Sequence, residues 1–74
     1  MTTTVLDGRE LQPPEPLERT LEALDRLADG DDLLLLLYCQ PHPLFNILRK
    51  NGYTWTEEVA KDGTRSIRIS KLTG

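Results

Sequence analysis

The chain has one cysteine, one histidine, one tryptophan and one phenylalanine, and its longest apolar run, residues 33–39, is seven residues long. Each scarcity removes a class of protein. A lone Cys39 forms no internal disulfide framework and no Cys-rich structural zinc site. Cys39 and His42 stand three apart, but zinc wants about four donors, and only oxygen from Asp7 or Glu10 could add to them. No metal site and no cofactor are expected. Seven apolar residues are far short of the roughly 18 that a membrane span needs. The opening residues 1–7 lack the positive start and apolar stretch of a secretion signal, so the expected setting is soluble, reducing and cytoplasmic. No Ser-His-Asp spacing, phosphate-cradling glycine loop or paired-carboxylate cleft can be read, so nothing points to an enzyme.

Leucine is what the chain has in quantity: fourteen of 74 residues, half of the hydrophobic set. This is enough for one compact core, and residues 1–74 read as a single small domain with its ordered part over about 5–71. Residues 1–37 carry nine acids and three bases, while residues 38–74 carry three acids and six bases. An acidic first half argues against nucleic acid as a general partner. Arg65, Arg68 and Lys71 share no strand parity and form no basic stripe, and Tyr53 and Trp55 read as core rather than as base-stacking platforms.

Val5-Leu6-Asp7, closed by Gly8, is a short strand. Pro13, Pro14 and Pro16 mark a helix entrance, because proline is tolerated in the first turn, where its missing N–H has no partner to lose. Leu17, Leu21, Leu24, Leu27 and Ala28 then form a helical stripe that Gly30 should end. The leucine run over residues 33–38, held between Gly30 and Pro41, fits a buried strand better than a helix. Pro43 opens a second helix through Leu44, Phe45 and Leu48, with Arg49 and Lys50 suited to its negative end. Asn51-Gly52 closes it. Beyond, Asp62-Gly63 marks a hairpin. A two-residue loop would put Trp55 and Ile69 on opposite faces. A three-residue loop, Lys61-Asp62-Gly63, sets Trp55 opposite Ile69 and Glu57 opposite Ile67, with Gly63 in a left-handed bulge, and burial selects it. The order is β-α-β-α-β-β. Right-handed crossover makes the first two strands parallel, and the expected fold is α+β: a two-layer α/β sandwich with a four-stranded mixed sheet and both helices on one face.

Leu6-Asp7, the run from Leu11 through Pro16 to Leu17, the leucine-striped helix and Asp29-Gly30-Asp31 resemble the TusA/SirA-like sulfur-carrier superfamily. Pro41-His42-Pro43-Leu44-Phe45 and Gly52-Tyr53-Thr54-Trp55 resemble more closely an uncharacterised sister family, a domain of unknown function, over about residues 5–71. The resemblance implies the same two-layer sandwich. Sulfur carriers of the superfamily hold a persulfide on the cysteine of a Cys-Pro-x-Pro motif. Pro14 and Pro16 match its prolines, but Pro13 occupies the cysteine position and cannot carry sulfur, so the motif does not transfer that function. The sister family further implies a bacterial setting, with respiratory or hemerythrin-like partners.

Two surfaces are candidates. The carboxyl edge of the parallel strands, where both helices begin, is where open α/β sheets bind ligands. It should gather Pro13, Pro14, Glu15, Cys39, Gln40 and His42. A thiol near a helix start and an imidazole favours the reactive thiolate, and Cys39 could then take over sulfur or redox chemistry with His42 as its electrostatic partner. Alternatively, Cys39 is a small hydrophobe ending a buried strand, and His42 caps the second helix or faces water. The second surface is the sheet face without helices. Alternate leucines, Leu34 and Leu36, point there unless Thr56 and the stem of Arg68 cover them. The leading expectation is a small non-enzymatic interaction module that engages another protein or itself as a homodimer. The alternative is a carrier using Cys39.

Overall fold

The computed structural model describes residues 2–12 and 15–71. Pro13 and Pro14, named above as part of the binding edge, lie outside the described residues. The elements are β1 (Thr3–Asp7), α1 (Glu15–Asp25), β2 (Asp32–Leu37), α2 (His42–Lys50), β3 (Tyr53–Val59) and β4 (Arg65–Lys71). β1 and β2 are parallel, β4 runs antiparallel to both β2 and β3, and the strand order is β1-β2-β4-β3. The class and element order match the sequence reading.

The leucine run is a strand because its alternate residues face a core of their own kind. Leu33, Leu35 and Leu37 are buried, and Ile69 and Ile67 of β4 stand opposite Leu33 and Leu35. Leu24 of α1 and Leu44 and Leu48 of α2 close over the same set, which places both helices on this face. Burial of each such side chain is worth about 1.5–3 kcal/mol, so these few contacts dominate the stability of so small a chain.

The hairpin takes the three-residue loop. Trp55 pairs with Ile69 and Glu57 with Ile67. The Ala60 N–H donates to Thr64 O at 2.9 Å, the Gly63 N–H donates to Ala60 O at 3.0 Å, and Gly63 sits at φ +90°. Within the loop the Thr64 N–H donates to Asp62 Oδ1 at 2.9 Å, which pulls the Asp62 carboxyl below its ordinary range.

One boundary departs from the stripe. α1 ends at Asp25, not at Gly30. The N–H groups of Arg26 and Leu27 bond back three residues, to Ala23 O and Leu24 O, so the last turn tightens and stops. No basic residue occupies the last helical turn, and Asp25 puts a negative charge at the negative end of the dipole. Leu27 still reaches the core. Gly30, at φ +86°, instead shapes a turn in which the Asp31 N–H meets Ala28 O at 3.1 Å, delivering the chain into β2.

Candidate functional site

β1 and β2 end side by side, and α1 and α2 both start from that rim. Between them lies a groove of about 410 Å³. Leu35 and Leu37 form its sheet wall, Pro16, Leu17 and Thr20 its α1 wall, and Pro43 and Leu44 its α2 wall. Its mouth is made by Gly8, Arg9 and Leu11 on one side and residues 38–41 on the other. The interior offers a ligand mainly apolar surface, and the proton of the buried Thr20 hydroxyl is engaged by its own helix, donating to Pro16 O at 2.7 Å.

Gly8 sets how closely β1 approaches this site. Its N–H extends the parallel ladder to Leu36 O at 2.8 Å, and a Cβ there would meet Leu37 Cδ2 at 2.8 Å and Pro16 Cβ at 3.6 Å. Gly8→Ala is therefore expected to cost about 1–3 kcal/mol through overpacking. Urea unfolding measures it, and an unchanged midpoint would show that Leu37 turns aside freely.

At the mouth, Arg9 folds back on Asp7. Its Nε and Nη2 donate to the two carboxylate oxygens at 2.9 and 2.7 Å, and its backbone N–H reaches Oδ1 at 3.1 Å. These bonds hold the Asp7 carboxyl at about 2, against an ordinary 3.8, and push the Arg9 guanidinium further up. A lowered folded value means that the stabilising contribution is complete above the ordinary carboxylate range and disappears as pH falls from 3.8 to about 2. In Arg9→Gln, the Asp7 titration followed by carboxyl NMR should move up toward 3.8. A midpoint that stays near 2 would mean that Arg9 is not the cause.

Cys39 lies on the groove's lip and is exposed. The alternative of a small hydrophobe ending a buried strand is thereby corrected: β2 ends at the buried Leu37, and the chain has left the core two residues later. Gln40 beside it is tied across to β3. Its Nε2 donates to Glu57 Oε1 at 3.2 Å, and Arg65 Nη1 donates to Glu57 Oε2 at 3.0 Å. His42 is the first residue of α2 and exposed. It faces water and does not cap, since Pro41 holds the cap position without a side-chain bond. The His42 ring rests edge-on to Phe45, 6.4 Å between centroids, and no hydrogen bond joins it to Cys39 among the described residues. Glu15 opens α1 and accepts a 3.3 Å bond from Arg19. Of the predicted edge, Cys39 and Gln40 line the groove, whereas Glu15 and His42 do not.

On the helix-free face, Leu34 and Leu36 are half-buried. Arg68 stands directly opposite Leu34 and bonds to Asp32 Oδ2 at 3.1 Å. Thr56 cannot cover the leucines, because β4 lies between β2 and β3.

Sequence reasoning missed Arg9, Leu11, Glu57 and Arg65. For the last two a signal existed. The hairpin register puts both on the helix side, and a carboxylate on an apolar face needs a cationic partner. For Arg9 and Leu11, in an irregular segment, no periodicity pointed to the groove.

Among the described residues no group of three or more His, Cys, Asp or Glu is placed to hold a metal ion, and no helix is long and apolar enough to cross a membrane. No curated protein and no solved structure matches the chain. The model of the family described as "Uncharacterized conserved protein (DUF2249)" matches residues 5–71, and the chain belongs to that family.

Proposed function

We propose that this domain is a non-enzymatic binding module, and that the rim groove receives an apolar segment of a partner protein. The observation that supports this best is the groove's lining: aliphatic walls from three elements, with the proton of the one buried hydroxyl already engaged. Such a concavity favours aliphatic side chains. A bacterial setting and a respiratory or hemerythrin-like partner belong to this reading through the family resemblance, and a cytoplasmic setting through the sequence features given above. So does kinship with the TusA/SirA-like carriers, supported by the β-α-β-α-β-β order and by prolines at 14 and 16.

A photo-crosslinker attached to Cys39 tests the groove, because the exposed thiol sits on its lip. In an extract of the source cells, a discrete adduct should form and should be lost in Leu11→Glu, which places a charge in the mouth. An adduct pattern unchanged by Leu11→Glu would overturn the reading.

The exposure of Cys39 also favours a second reading, sulfur or redox carriage. In sulfur carriage Cys39 takes the outer sulfur of a persulfide donor and the donor leaves as its thiol; in redox carriage it exchanges with a partner's disulfide. Mass spectrometry after persulfide or alkylating challenge at neutral pH separates the two. Slow, ordinary labelling supports the binding module. Rapid labelling lost in His42→Ala supports the carrier.

A further inference from the structure

The sheet has two edges, and they are guarded differently. An edge strand presents a row of free N–H and C=O groups, which proteins ordinarily blunt with Pro, Lys, a bulge or charge. β3 carries the exposed acid Glu58, a charge of the kind that blunts an edge. β1, Thr3–Asp7, has no Pro, no Lys and no glycine kink, and its one acid is already held by Arg9. Its Val5 is among the most exposed large hydrophobic residues, at 59%.

The parity of β1 is fixed by its ladder. Gly8 N–H donates to Leu36 O, and Thr2 O accepts from the Asp32 N–H, so the even residues face β2. Thr3, Val5 and Asp7 therefore turn their backbone groups outward, and among the described residues nothing pairs with them.

We propose that this edge pairs antiparallel with the same edge of a second copy, on a two-fold axis at Val5. That register sets Thr3 against Asp7 of the second copy and Val5 against its own counterpart. The outward residues then all fall in hydrogen-bonded pairs, and every outward N–H and C=O of both strands finds a partner. A shift by two residues leaves a pair unmatched. The charges fit as well, since each Asp7 faces a threonine hydroxyl rather than another acid. On the helix-free face, Val5 and Leu34, side by side within one sheet, meet the same pair from the other copy and form one apolar row. The interface is isologous and closed, and the joined sheet has eight strands. It lies beside the rim groove without using it, so this inference is independent of the groove reading.

Sedimentation velocity up to millimolar concentration should show a monomer–dimer equilibrium. Val5→Pro removes only an outward N–H, which an edge strand tolerates. It should keep the native circular dichroism while weakening the dimer about tenfold or more. Thr3→Glu, which faces Asp7 of the second copy, should loosen the dimer, and Thr3→Lys should tighten it; this pair of variants decides the matter should Val5→Pro fail to fold. Leu11→Glu, in the groove, should leave the equilibrium unchanged. A protein that stays monomeric throughout would overturn the proposal. So would a dimer indifferent to Val5→Pro and the Thr3 variants but broken by Leu34→Lys, which would place the contact on the sheet face instead.

Discussion

Leu35→Lys is expected to leave the chain unfolded, whereas Leu34→Lys, one residue away, is expected to fold. Leu35 is 1% exposed, between Leu6 of β1 and Ile67 of β4 and under the helices. A lysine there buries an ammonium with no carboxylate prepared for it and also loses the packed leucine. Each of these effects costs several kcal/mol. A domain of this length has about 4–11 kcal/mol in all, at ~0.05–0.15 kcal/mol per residue. Leu34 points to the other face, where the new amine reaches water, and the neighbouring Arg68 adds only a weak like-charge term, below about 1 kcal/mol. Circular dichroism and thermal melting of both variants settle the contrast. A cooperative melt for Leu35→Lys would refute the facing of the entire strand. The difference also governs how contact by the sheet face is probed: Leu34 reports on that surface, while Leu35 reports on folding.

The second large effect concerns the stack that fastens α2 to the sheet. Phe45 and Trp55 lie nearly parallel, 5° between planes and 5.0 Å between centroids. Both are half-buried and pack against the leucine core. Trp55→Ala should cost about 2–3 kcal/mol, less than the ~3–5 typical of a fully buried tryptophan. A double-mutant cycle with Phe45→Ala should return a coupling of about 0.5–1.5 kcal/mol beyond the area lost. Additive single losses in urea unfolding would show that the rings share a neighbourhood without an interaction.

Legibility followed the physics of each segment. The hairpin register was readable because a one-residue slip would have sent Trp55 and Ile69 to opposite faces, and only one loop length avoids that. The leucine run was readable as a strand because so short an apolar run, held between Gly30 and Pro41, fits a buried strand better than a helix. The end of α1 was not readable, because Leu27 keeps the helical spacing and reaches the core from a tightened turn. The rim was foreseen as a place, through Cys39 and Gln40, but not as a groove. Its mouth depends on Arg9 and Leu11, whose positions follow from tertiary contacts and not from any local pattern. The strand order also escaped the sequence, and with it the separation of Thr56 from Leu34.

The placement of β4 between β2 and β3 governs assembly as well as shape. The last strand to be synthesised among those described is an interior one, so a nascent chain lacking residues 65–71 has β2 and β3 with nothing to join them. Closure then waits on contacts between residues as far apart as 32 and 70, and long-range pairing of this kind slows folding relative to helical bundles of equal size. Until it happens, the five consecutive leucines stand open along one side, and the growing polypeptide is at its most exposed to aggregation while still attached to the ribosome.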